Sequence, residues 1–250
     1  FVNEPETDFG RKSNREAMRR ALRQVRQTLG GEYPLFIDGK EVQTGKLLES
    51  INPARVDEVV GRVHQARAEN VEKALEAARR AFPSWRDSDP RARAGILFKA
   101  AEIMRQQRFE LAALEVFEVS KTWFEADADV AEAIDYCEYY GREMIRLGEP
   151  MRMGQEPGEI NQYLYQPRGI AAVMSPWNFP LAIAGGMVLR ALGARKLVIF
   201  KPSSLSPVMG TRLARIFFDA GIPGGVLAFL PGAGKDVGER LVVHPDVSMV

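Results

Sequence analysis

From Gly169 onward, four short apolar runs alternate with helical patterns, and this alternation limits the fold more than any other feature of the chain. The runs are "GIAAVM", "KLVIFK", "VLAFL" and "VSMV". Apart from the lysines that bound the second and Ser248 in the last, each is continuously apolar, not apolar at every second residue. A strand with one wet face alternates; a strand apolar on both faces is covered on both. Helical patterns fill the gaps. "LAIAGGMVLRAL" follows the first run, extending to about Ala194. "VMGTRLARIFFDAG" follows the second, opened by Ser206 and Pro207 and closed by Gly221 and Pro223. The pattern predicts an α/β fold: a Rossmann-like parallel sheet over residues 169–250, with helices on both faces.

Residues 1–150 read instead as a helix-rich region with a hairpin. Met18, Leu22, Val25 and Leu29 recur at helical spacing before Gly30 and Gly31. "YPLFIDGKEV" predicts a hairpin turning at Asp38-Gly39, and "VDEVVGRVHQA" another strand. Asn70 is placed as the cap of "VEKALEAARRAF", and Asp89 as the cap of the next helix, with Pro90 at its first position. Further on, Val130, Ile134, Cys137, Gly141, Met144 and Ile145 fall on one helical face. A thiol on such a face is packing material, whereas a catalytic thiolate needs an electropositive, partly exposed niche. Residues 151–168 are expected to lead towards an oligomerisation element, with "INQYLYQPRG" alternating as a strand does.

Composition excludes several classes. The 34 basic and 33 acidic residues leave a net charge of +1, which calls for neither nucleic acid nor an anionic membrane. Cys137 is the only cysteine, so no internal disulfide forms, and a reducing, cytoplasmic setting is the simpler expectation. His64 and His244 have no metal-ligand spacing. The uncharged stretch Gly169–Leu189 is long enough to span a membrane, but Pro176, Asn178 and Pro180 break it. The chain opens on Phe1 and stops within the apolar "DVSMV"; a fragment of a longer protein is expected.

Ligands of parallel sheets bind at the carboxyl ends of the strands. Three loops emerge there: "SPWNFP", "KPSSLSP" and "PGAGKDVG". In the first, Asn178 offers an amide; it is either a donor to a developing oxyanion or part of a turn whose aromatics pack inward. In the second, Lys201 ends a strand and Pro202 stiffens the exit; it is either a solvated charge or a ligand for ribose or phosphate oxygens. The third fails the P-loop pattern twice, with Phe229 in the place of the first glycine and Asp236 in that of Ser or Thr. It also fails the dinucleotide fingerprint, because three residues separate Gly234 from Gly238 where two are needed. Its glycines either punctuate a turn or let a ligand approach the backbone.

Taken in this order and spacing, "PWNFP", "KPSS" and "GAGKDVG" resemble the cofactor-domain segments of the aldehyde dehydrogenase superfamily, a likeness covering nearly the whole chain. "YPLFIDG" and "SKTWFEADADVAEAIDYCEYY" resemble the branch acting on 1-pyrroline-5-carboxylate, and "NEPETDF" resembles the segment after the proline dehydrogenase part of bifunctional proline-utilisation enzymes. The resemblance implies NAD-dependent oxidation of L-glutamate 5-semialdehyde to L-glutamate in proline catabolism. It also implies a small aldehyde substrate, a homo-oligomer and fusion to a proline dehydrogenase domain.

The same resemblance assigns residues. Asn178 becomes the oxyanion-hole amide. Pro176 and Trp177 line the cofactor through their backbone, and Phe179 walls the substrate's aliphatic chain. Lys201 holds the adenine ribose, with Pro202, Ser203 and Ser204 in the same loop. Gly234 and Gly238 pass close to the adenosine part. There are departures. Many relatives carry Glu at the position of Ser204, so the choice of NAD over NADP stays open. Arg195-Lys196 stands where the family usually reads Gly-Asn. The family's nucleophilic cysteine and general-base glutamate fall beyond residue 250, so the segment alone is expected to be inactive. Two alternatives stay open: an aldehyde dehydrogenase of another substrate class, and a non-catalytic nucleotide-binding or assembly module.

Overall fold

Helix α1 (Lys12–Thr28) buries Met18, Ala21 and Val25 and leaves its arginines in water. Five short strands follow: β1 (Gly31–Tyr33), β2 (Leu35–Ile37), β3 (Lys40–Val42), β4 (Leu47–Ile51) and β5 (Val59–His64). β2 and β3 are the expected hairpin. Asp38 and Gly39 between them take φ of 54° and 71°, the left-handed pair that a two-residue turn matched to strand twist requires. The structure, a computed structural model, describes residues 1–250.

Helices α2 (Ala68–Arg86), α3 (Pro90–Gln106), α4 (Arg108–Val119) and α5 (Trp123–Gly148) come next. Asp89 caps α3 as expected, its carboxylate accepting the Arg91 N–H at 2.9 Å, with Pro90 in the first turn. The Asn70 cap is corrected. α2 begins three residues earlier, at Ala68 and not Val71, and Asn70 reaches back from its first turn to accept the Arg67 N–H at 2.7 Å. On α5 the apolar stripe is buried at Val130, Ile134, Cys137, Gly141 and Met144, with Ile145 partly buried.

The strand expected over "INQYLYQPRG" is also corrected. Only β6 (Met151–Arg152) and β7 (Gln162–Tyr163) pair there, as an exposed antiparallel ribbon two residues long. Gln162–Tyr163 is thus the part of the expected strand that forms, and the residues after it make no ladder before β8.

From Gly169 the expected alternation holds. β8 (Ile170–Met174), α6 (Ala182–Gly193), β9 (Leu197–Lys201), α7 (Pro207–Ala220) and β10 (Leu227–Phe229) follow in turn. A one-turn π-helix (Gly234–Gly238), α8 (Glu239–Val243) and β11 (Val247–Met249) complete the chain. The sheet runs β11-β8-β9-β10-β2-β3. Its first four strands are parallel, and the hairpin β2–β3 adds an antiparallel edge. Phe36 of that hairpin packs on Phe218 and Phe229, joining it to the sheet's core. The stretch Gly169–Leu189 is divided among β8, a loop and α6, and no helix of the chain is long and apolar enough to cross a membrane.

Candidate active site

β8 lies between β9 and β11, so the direction of winding reverses at β8. Ligands of open parallel sheets settle at the carboxyl ends beside such a reversal. The loop that leaves β8 there is Ser175–Pro180. Its neighbour leaves β9 at Lys201, and the Ser175 N–H bonds the Lys201 carbonyl at 3.2 Å, tying the two exits together. The third loop returns over both. A Cβ on Gly238 would meet Met174 Sδ at 3.7 Å and Lys201 Cε at 3.8 Å. Gly238 is itself buried there, at ordinary packing distance from both strand ends.

Within the first loop, Pro176, Trp177, Asn178 and Phe179 are exposed, Trp177 by 49%. A half-exposed indole and an exposed amide thus stand side by side on this loop. Phe179 is fixed from behind: Lys121 Nζ lies 4.2 Å from its ring centroid. In the second loop Lys201 is only 9% exposed, and its one hydrogen bond runs to the carbonyl of Pro202 at 3.2 Å. Burial lowers its pKa. A buried ammonium with a single neutral acceptor fits an oxygen-rich ligand such as ribose hydroxyls. Pro202 is buried against Gly210, where a Cβ would come within 2.8 Å of its ring. Ser203 accepts the Leu205 N–H at 3.2 Å, and Ser204 is exposed. Gly234 is exposed, with open space where a Cβ would sit.

The residues that hold these loops in place were not singled out from the sequence. Asp129, fully buried on α5, accepts the Ala182 N–H at the start of α6 at 2.7 Å. Its other oxygen accepts from Lys121 at 2.6 Å, and Lys121 also pairs with Glu115 at 2.9 Å. Burial, and then Asp129 nearby, hold the Glu115 carboxyl well above its ordinary range. A second acid serves α7. Ser206 was the expected start, and the helix does begin at Pro207, but the Ser206 hydroxyl makes no cap. Glu118 takes its place, accepting the Val208 and Met209 N–H groups at 2.8 and 2.7 Å and the Ser50 hydroxyl at 2.8 Å. The available signal was an acid on an otherwise apolar helical face, as in "LAALEVFEV".

Two other features are excluded from this site. Cys137 is fully buried, and burial followed by the Glu138 charge pushes its thiol far up. A groove of about 840 Å³ is lined by Lys46, Arg67, Lys235, Asp236 and His244 among others; it touches the third loop and neither of the first two.

Comparison with known proteins bears on the family and the fold. The aldehyde dehydrogenase family model matches residues 39–250. A 1-pyrroline-5-carboxylate dehydrogenase of Geobacillus sp. (strain WCH70) is 46% identical over 245 residues, covering 98% of this chain and 48% of that protein. The crystal structure of a Thermus 1-pyrroline-5-carboxylate dehydrogenase with bound NAD superposes with a TM-score of 0.96 at 45% identity, covering 99% of this chain and 48% of the other. The proline utilization A structure from Bdellovibrio bacteriovorus gives 0.97 at 43% identity, covering 99% of this chain and 26% of that one. The chain thus spans about half the length of the curated relatives it matches.

Proposed function

The chain belongs to the aldehyde dehydrogenase family, and from that premise we propose that it is the cofactor-binding part of an NAD-dependent dehydrogenase oxidising L-glutamate 5-semialdehyde to L-glutamate. One observation carries the reading: three loops meet at one sheet edge, joining exposed Asn178, buried Lys201 and a glycine turn that packs Gly238 on both strand ends and leaves Gly234 open to solvent. The substrate and cofactor are supported by the relatives, which are 1-pyrroline-5-carboxylate dehydrogenases, one of them crystallised with NAD.

The residues then divide the work. The Asn178 amide donates to the aldehyde oxygen as negative charge grows on it, a contribution of about 2.7–4 kcal/mol for one oxyanion donor. Phe179, braced by Lys121, walls the substrate's aliphatic chain. Lys201 donates to ribose hydroxyls, with Ser203 and Ser204 alongside. Pro176 and Trp177 offer backbone to the cofactor, and Gly234 and Gly238 let its adenosine part approach. NAD, when bound, takes up the hydride that leaves the substrate carbon. Cys137 cannot form the covalent bond, since it is sealed in the core. We assign the nucleophile and general base to a part of the protein outside these residues. The exposed β6–β7 ribbon, with Ile160 beside it, is the proposed oligomer contact. The proline utilization A likeness supports a fused proline dehydrogenase partner, and the lone thiol suits a cytoplasmic setting.

Full-length protein supplied with 1-pyrroline-5-carboxylate and NAD is expected to produce NADH, and residues 1–250 alone none. Absence of NADH from the full-length protein overturns the substrate reading. Turnover by the isolated segment overturns the assignment of the nucleophile. Parallel assays with NADP test whether Ser204 admits a 2′-phosphate.

A further inference from the structure

A second cavity lies at the opposite edge of the sheet, where the parallel strands begin. It holds about 430 Å³, within the range of small-molecule sites. Its walls come from the ends of α5 and α6, the chain leading into β8, and the Arg195-Lys196 pair before β9. Five cations line it: Arg93, Arg168, Arg190, Arg195 and Lys196. The one lining acid, Glu143, is bonded to Arg146 at 2.6 Å. Of the acids close by, Asp87 is paired with Arg86 and Asp89 caps α3. Three tyrosines, 139, 140 and 165, supply aromatic surface, with Arg190 held to the Tyr140 hydroxyl at 2.6 Å.

Two details single this cluster out from ordinary surface charge. Arg93 is 1% exposed; its guanidinium donates to the Ser88 carbonyl and hydroxyl, yet Nε is buried without a partner. Arg195 takes φ of 60°, a left-handed conformation that residues with a Cβ seldom adopt outside Asn and Asp. The chain thus places a long cation where glycine or asparagine would sit more easily. Burial and then Arg195 push the Arg93 pKa down to about 10, and burial and then Arg168 lower that of Lys196. Asp89 offsets Arg93 and Asp87 faces Arg195, but neither lines the cavity; crowded cations whose wall holds no unpaired acid are relieved by an anion.

We propose that this cavity binds a small, multiply charged oxyanion, carboxylate or phosphate, through Arg93, Arg195 and Lys196, with any organic part against the tyrosines. The site is separate from the cofactor edge and stands whether or not the dehydrogenase reading holds. The test is calorimetric and thermal-shift titration of the full-length protein with citrate and with inorganic phosphate, against sodium chloride at matched ionic strength. Saturable binding is expected, weakened by about tenfold or more when Arg195→Gly and Lys196→Ala are combined. The unligated melting temperature of that variant is expected to hold or rise, because glycine relaxes the backbone at position 195. Binding of citrate alone identifies a polycarboxylate site, and binding of phosphate identifies a phosphate site. No saturable binding of either anion, or equal binding by the variant, overturns the proposal.

Discussion

The first two loops of the carboxyl edge and the third are anchored by opposite means. The loops after β8 and β9 rest on helices whose first N–H groups are taken by buried acids of the helical half, Asp129 for α6 and Glu118 for α7. The third loop leans on backbone and surface: the Ala66 N–H bonds the Pro231 carbonyl at 2.7 Å, and Lys46 meets Asp236 at 3.3 Å with both half in water. A charge removed from water is held by geometry that tolerates little change, whereas an exposed pair is screened and replaceable. The lesson is that the helices behind Asn178 and Lys201 are tied to the helical half by buried acids, whereas the side-chain ion pair of the glycine loop lies at the surface.

Asp129→Ala is the largest test of that contrast. It strips the acceptor from Lys121 and from the Ala182 N–H together, and a loss of about 3–5 kcal/mol in urea unfolding is expected. A loss near zero would show that Glu115 alone carries Lys121. Next comes Asn178→Ala in the full-length protein. Because the loop is held from below, the expected outcome is a kcat lowered about 100–1000-fold with NAD affinity unchanged. Equal damage to both would mean that the loop had moved.

Glu118→Gln tests the second anchor through pH. Burial pushes this carboxyl from 4.5 up to about 7, so the folded chain holds its proton more tightly than the unfolded one. Its contribution is complete below pH 4.5 and is lost as the pH rises through about 7, a swing on the order of 3 kcal/mol. Glutamine loses one acceptor at every pH but does not titrate. Melting curves from pH 5 to 8 should therefore shift in favour of the variant as the pH rises; a constant difference would show that Glu118 stays ionised. The smallest effect belongs to the third loop. Lys46→Ala is expected to change stability by less than about 1 kcal/mol, read by the same unfolding curves. A larger loss would erase the contrast.

What was legible in the sequence was local. Asp38-Gly39, Asp89-Pro90 and the left-handed Gly221 that ends α7 each fix a turn or cap within a few residues, and all three stand as expected. The apolar runs found their strands because a segment apolar on both faces has no other soluble place. The misses share one cause. Asn70 was read as a cap without knowing where its helix entered, and "INQYLYQPRG" as a strand without knowing how far a partner ran beside it. At the candidate site the exposed loop residues could be named from spacing and likeness. Asp129 and Glu118 could not, because the helix N–H groups they accept from lie 53 to 91 residues away in sequence, and neither could Lys121, which meets Phe179 across an aromatic face.

By itself, then, the sequence determined the layered α/β plan, the three loops at one edge of the sheet and the absence of any free thiol outside the core pattern. Hydrophobic period and turn chemistry act over a few residues, so they are written in the order of the chain. Only the tertiary structure decided that β2–β3 completes the sheet, that buried acids of the helical half hold the site's two helices, and that Arg93, Arg195 and Lys196 share one cavity. Those facts depend on which side chains meet after the chain has folded back on itself, where desolvation makes each unpaired charge costly and so fixes which partners are tolerated.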